Sequence, residues 1–195
     1  MAENAYVCQF KVELLGIEPA IWRRIQVPET ASLWDLHVAI QDAMGWQGYH
    51  LHVFSFLGTR DKVGIPLDEE TGSFRILPGW KRRVDKYLSH QAPLGLYEYD
   101  LGDSWLHEIR FEGEFRRAGR GVYPRCLAGA RRCPPEDCGG PLGYEEFLKA
   151  ISNPKHPEHD FLLQWAGGAF DPEEFSPRRV RFSDPEERWR QVFES

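Results

Sequence analysis

The chain has 195 residues, 42% hydrophobic and 13% aromatic with seven tryptophans, enough for one packed core and incompatible with wholesale disorder. Its 24 basic and 30 acidic residues leave a formal net charge of -6, which disfavours phosphate backbones unless the basic residues cluster on one face. No stretch approaches the roughly 18 apolar residues of a membrane span. The segment Met1-Ala-Glu-Asn-Ala-Tyr-Val-Cys8 is no signal peptide, so a cytoplasmic location with reduced cysteines is expected.

Residues 6–15 alternate apolar and polar in the manner of a strand. Gly16 to Pro19 supply turn chemistry, and residues 21–27 return as a second strand stopped by Pro28, so a hairpin is expected. A helix follows. Ser32 caps it, Asp35 is the partner three residues on, and Leu33, Leu36, Ile40, Ala43 and Met44 recur at helical spacing until Gly45. Residues 50–57 form a third strand, residues 58–80 an irregular excursion, and residues 97–111 two strands broken at Gly102-Asp103 by a tight hairpin or bulge.

From about residue 114 the character changes to an Arg- and Gly-rich stretch, a cysteine-bearing loop and then helices. Tyr144, Phe147, Leu148 and Ile151 form a stripe ended by Asn153-Pro154, and a further helix runs from Glu158 to Trp165. Asp171-Pro172 and Asp184-Pro185 each pair an acidic N-cap with proline at the first helical position. The expected fold is α+β in one domain over 1–195. A β-grasp-like mixed sheet cradles one helix over about 6–113, and a helical C-terminal third over about 114–195 packs on it.

Four groups of residues can carry chemistry. Cys126, Cys133 and Cys138 fall within 13 residues at spacings C-x6-C-x4-C, and with a histidine or Asp137 as fourth ligand they suit zinc; the alternative is three small buried hydrophobes. His50 and His52 are two apart on the third strand and so share a face, either as metal ligands or as packed histidines beside Phe54 and Phe56. Asp100, Asp103 and His107 surround the Gly102 break, either for metal or acid–base work or as turn aspartates and a core histidine in line with Trp105 and Ile109. Seven arginines against two glutamates between Arg110 and Arg132, with Lys81-Arg-Arg83 and Arg178-Arg179-Val-Arg181, make a basic patch or a paired surface. Sequence signatures of P-loops, dinucleotide folds, serine hydrolases and zincins are absent.

The segments Ile21-Trp-Arg-Arg-Ile-Gln-Val-Pro28, Leu33-Trp-Asp-Leu-His37, His50-Leu-His-Val-Phe54, Tyr99-Asp-Leu-Gly-Asp-Ser-Trp-Leu-His107, Cys133-Pro-Pro-Glu-Asp-Cys138 and Phe170-Asp-Pro-Glu-Glu-Phe175 resemble the plasmid Orf-3-like family, named after a Ri-plasmid open reading frame. The resemblance runs from about residue 6 to 192; Leu101 departs from it, where the family more often has Phe. It implies an α+β fold and a mobile-element origin, with no activity to transfer. Some relatives carry a resolvase label, but no recombinase motif or helix-turn-helix supports it here.

The functional expectation is a non-catalytic binding or interaction module for a protein or small ligand. Its surface would include Trp46, Asp103, Trp105, Glu136 and Asp137, in a cleft between the sheet and the helical third that carries the loop 133–138. A metal-dependent hydrolase built on His50, His52, Asp100, Asp103 and His107, and a nucleic-acid accessory protein, are the alternatives.

Overall fold

A computed structural model describes residues 6–66, 75–119 and 121–194. The middle of the excursion, 67–74, and Arg120 of the basic stretch lie outside these described residues. Strands β1 (Tyr6–Leu14) and β2 (Ile21–Pro28) form the expected antiparallel hairpin, with Leu14 opposite Ile21. Helix α1 (Leu33–Met44) follows. Ser32 Oγ accepts the Asp35 N–H while the Asp35 carboxylate accepts the Ser32 N–H, so the capping box satisfies two donors that a helix start otherwise leaves without partners. At the other end Gly45 sits at φ 90 and returns its N–H to Gln41 O, a conformation that a side chain would strain.

Then come β3 (His52–Phe56), the short β4 (Lys62–Gly64) and β5 (Ile76–Pro78), β6 (Leu94–Tyr99), β7 (Trp105–Arg116) and β8 (Arg125–Ala130). The described strands make one eight-stranded sheet in the order β5-β4-β3-β6-β7-β1-β2-β8, antiparallel at every step except β4–β5. The break at Gly102-Asp103 is a hairpin that sets Tyr99 opposite Trp105.

Alternation along the strands gives the sheet one dry face. Phe10 and Leu14, Ile21 and Ile25, Tyr97 and Tyr99, Trp105 and Ile109, and Phe54 all point into it. The opposite face is polar and half-exposed, with Arg24 forked onto Glu112 at 2.6 and 2.8 Å. Helix α1 lies on the dry face and is itself overlaid, so ten of its twelve residues are buried and its stability comes from packing on both sides. One cover is α4 (Pro185–Phe193), anchored where Trp34 Nε1 donates to Pro185 O at 2.9 Å and Arg188 Nη2 meets Asp42 Oδ1 at 2.9 Å.

Helices α2 (Gly140–Ser152) and α3 (His159–Trp165) stand beside the sheet, joined through Phe147, which contacts both Phe170 and Trp165 edge-on. The fold is therefore α+β, with a mostly antiparallel sheet and four α-helices among the described residues. Three expectations need correction. The excursion 58–80 is not wholly irregular, because β4 and β5 lie in it and extend the sheet beyond β3. Cys126 lies on β8, inside the C-terminal third, because the exposed edge of β2 recruits residues 125–130 as a partner strand. Asp171-Pro172 opens a turn and no helix: the Asp171 carboxylate and carbonyl accept the N–H groups of Glu173 and Glu174. Asp184-Pro185, by contrast, caps α4 as expected.

Candidate functional site

The C-terminal end of α1, the turn after it, the β6–β7 hairpin and the loop 133–138 meet at one corner of the molecule. The scaffold there is Arg23. It is 2% exposed, and all five of its N–H donors are used: Nε on Ala43 O, Nη1 on Trp22 O and Ala130 O, and Nη2 on Arg131 O and Cys133 Sγ, at 2.8 to 3.2 Å. Its guanidinium lies 3.8 Å from the centre of the Phe175 ring. One buried cation thus ties the helix end, the strand end and the loop together without a carboxylate partner, because carbonyls in the right places supply the negative ends of the dipoles.

Trp46, just past the helix, donates Nε1 to Pro134 O at 2.8 Å and stacks on Tyr99, fixing the loop to the sheet. Tyr99 in turn donates to Glu136 Oε1 at 2.5 Å, and the Gln47 N–H donates to the other oxygen of that carboxylate at 2.9 Å. Burial and the Glu136 carboxylate push the Tyr99 phenol far above its ordinary range, so it stays a donor. Asp103 leaves its own turn to accept the Gly139 N–H at 3.0 Å. Gly140 follows at φ 70, with space for a side chain blocked 2.5 Å away by Asp103 O; glycine is what lets loop and hairpin touch.

Beside this frame, His50, Asp100 and Asp137 converge. His50 Nε2 lies 3.0 Å from Asp137 Oδ1 and 3.6 Å from Asp100 Oδ2. Among the described residues they form the one set of three His, Cys, Asp or Glu whose ligand atoms all lie within 4.8 Å of one another. Both aspartates hold left-handed backbone, φ 56 and 59, which Asp tolerates better than most residues. Tyr49 donates to Asp137 Oδ2 at 3.0 Å; burial, then that carboxylate, pushes its phenol up to about 12.

The other candidates lie elsewhere. His52 is not on the face of His50: strand pairing begins at His52, so His52 points inward while His50 sits outside the ladder. His52 stacks on His37 at 3.7 Å between ring centres, and burial lowers its imidazole to about 3. His37 bonds Tyr97 Oη at 2.8 Å and is lowered well below its ordinary value, chiefly by burial and then by His52 and Arg188. His107 is lowered to about 4 by burial, against the opposing hydrogen bonds of the Tyr97 and Trp105 carbonyls.

Trp105 is buried beneath Trp46. Of the five residues considered for hydrolysis, only His50 and Asp100 therefore meet. The three cysteines do not join as a ligand set: Cys133 is buried against Arg23 and Met44, Cys126 turns to Ala128 O, and Cys138 is half-buried with its thiol pushed up to about 12 by burial and then by Asp103. The basic stretch is divided, with Arg110 on Glu108, Arg131 on Glu173, and Arg117 and Arg125 against the Tyr123 ring.

Next to the loop 133–138 opens a cleft of about 650 Å³. Its lining includes Trp46, Tyr49, Glu136 and Asp137 together with Trp165, Phe170, Phe175 and Arg179. Tyr49 and Trp165 are 56% and 43% exposed, so each presents a ring to solvent there. Sequence reasoning passed over Arg23, Tyr49, Tyr99 and Trp165; the one available signal was adjacency, since Tyr49 precedes His50 and Tyr99 precedes Asp100.

A family model described as "Plasmid pRiA4b ORF-3-like protein" matches residues 6–179. The chain is 41% identical over 169 residues to the uncharacterised protein y4hQ of Sinorhizobium fredii, covering 85% of this chain and 83% of that one. It superimposes with a TM-score of 0.83 on the crystal structure of a protein of unknown function, MM3350, from Methanosarcina mazei Go1. That pair is 40% identical and covers 91% of this chain and 98% of the other.

Proposed function

The chain belongs to the plasmid pRiA4b ORF-3-like family, and for it we propose a non-catalytic binding role, with a small ligand held in the cleft beside the loop 133–138. The observation that carries this is the cleft itself. Its volume of about 650 Å³ suits a small molecule, and segments from α1, the 132–137 loop and residues 165–180 meet there only in the folded chain. Tyr49 and Trp165 supply aromatic faces, while Arg132, Arg179, Glu136 and Glu174 supply charges of both signs. Such a lining recognises a ligand that combines a flat apolar part with polar groups.

A single domain, with the sheet and α1 acting as a β-grasp-like platform, belongs to the same proposal and is supported by the near-complete burial of α1 against the dry face. A cytoplasmic setting accords with four free thiols. Among the described residues no helix is long and apolar enough to cross a membrane.

The test is ligand-observed NMR with a library of small aromatic acids and amines on chelator-treated protein. The expected result is a subset of binders whose signals vanish in both Tyr49→Ala and Trp165→Ala while the fold persists by circular dichroism. Binders indifferent to both substitutions, or none at millimolar concentration, overturn it.

A further inference from the structure

We propose that His50, Asp100 and Asp137 bind one divalent transition-metal ion, of the zinc or manganese class, at the edge of the cleft. Asp137 is shared with the cleft, but the ion site stands without any organic ligand, so the two proposals fail separately.

The case rests on one sealed imidazole nitrogen that makes no hydrogen bond and on two carboxylate oxygens that close on it at 3.0 and 3.6 Å. Asp100 is 8% exposed. Its Oδ1 accepts the N–H groups of Gly102 and Asp103 at 3.0 and 3.3 Å, while its Oδ2 has no hydrogen-bond donor among the described residues; its nearest basic atom is His50 Nε2, at 3.6 Å. His50 Nε2 is sealed from solvent and likewise makes no hydrogen bond, even though Asp137 Oδ1 is only 3.0 Å away. An imidazolium serving as counter-ion to these carboxylates would aim its N–H at one of them. The ring instead sits with its nitrogen close to both oxygens and aligned with neither. Asp137, an exposed side chain at the rim, has Oδ2 occupied by the Tyr49 hydroxyl and Oδ1 facing His50. Each carboxylate is thus oriented by donors outside the set and offers its second oxygen to the same place, the supporting arrangement that metal ligands characteristically have.

Distances and donor types agree. Neighbouring ligands about 2.1 Å from a tetrahedral or octahedral ion lie about 3.0–3.4 Å apart. The separations of His50 Nε2 from the two oxygens, 3.0 and 3.6 Å, span that range, and all three ligand atoms lie within 4.8 Å of one another. One imidazole with two carboxylates suits zinc or manganese better than magnesium or calcium, which favour all-oxygen shells. Two carboxylates beside a single imidazole also leave negative charge that a divalent ion cancels. No lysine or arginine pairs with Asp100 or Asp137 among the described residues.

The experiment is isothermal titration of Zn²⁺, and separately Mn²⁺, into chelator-treated full-length protein at neutral pH. One ion per chain is expected, with at least tenfold weaker binding in His50→Gln and in Asp137→Asn. Asp100→Asn is the third variant: its amide oxygen keeps the two turn hydrogen bonds, so weakened binding with an unchanged melting temperature reports the lost ligand and not a lost fold. A double variant, Cys126→Ser with Cys138→Ser, is expected to bind normally. Zinc shifting the His50 ring resonances in NMR is the direct signature. No binding of either ion, binding insensitive to all three site variants, or binding lost in the cysteine double variant would each overturn the proposal. The cleft test above, run without metal, is unaffected by these outcomes.

Discussion

Acidification should unfold this protein through three histidines that lie in its interior. His37, His52 and His107 are held neutral by burial, with His52 lowered to about 3 and His107 to about 4 against 6.5 in an open chain. The unfolded chain therefore binds protons below pH 6.5 that the native state refuses. A depressed native pKa means the stability is fully present above pH 6.5 and is lost as pH falls, through about 4 for His107 and on to about 3 for His52. Each group costs about 1.4 kcal/mol per pH unit in that window. At pH 5 this amounts to about 2 kcal/mol for each of His52 and His107, or about 4 kcal/mol together, with His37 adding in the same direction. Set against the 5–15 kcal/mol typical of a domain, that is a large fraction.

Urea unfolding followed by tryptophan fluorescence between pH 5 and 7.5 measures it. The free energy of unfolding should fall with a slope equivalent to at least two protons taken up per chain, before carboxylates begin to titrate. His52→Phe removes one of those protons and lowers the slope by one. A flat profile over this window, or a slope unmoved by His52→Phe, would refute the assignment of neutral buried imidazoles.

Two further outcomes concern the frame of the site and the helix that supports it. Arg23→Met strands the carbonyls of Ala43, Ala130 and Arg131 that the guanidinium now serves; chemical denaturation should show a loss of about 3–5 kcal/mol, and a loss below about 1 kcal/mol would mean water replaces those bonds at no cost. Ser32→Ala opens the capping box of α1 and should cost about 1 kcal/mol by thermal melting, while Ser32→Asp should be close to neutral because its carboxylate can accept the same Asp35 N–H.

Much of the fold was legible because it is encoded locally. The β1–β2 hairpin, the cap and stop of α1, the Gly102 turn and the Asp184-Pro185 helix start each depend on residues a few positions apart, and each was readable as such. Cys126 was misplaced for the opposite reason. Residues 125–130 become a strand because β2 offers an unpaired edge about a hundred residues earlier, and no nearby residue carries that information. Asp171-Pro172 failed because the same acidic-residue-plus-proline pattern serves both a turn and a helix start. Here the turn leads into Phe175, whose ring packs on the Arg23 guanidinium.

For the candidate site, residue types and spacing were enough to single out His50, Asp100 and Asp137 as residues able to do chemistry, just as they were enough for the α+β character of the chain. Which candidates meet was settled by tertiary structure alone. Pairing of β3 with β6 begins at His52 opposite Tyr99, which sends His52 into the core and leaves His50 outside the ladder, half-buried. Arg23 and Trp46 then draw the loop 133–138 across the helix end, carrying Asp137 to within 3.0 Å of His50. A two-residue period assigns faces only while a strand lasts, and where a strand ends depends on its partner, which is distant in the chain and near only after folding.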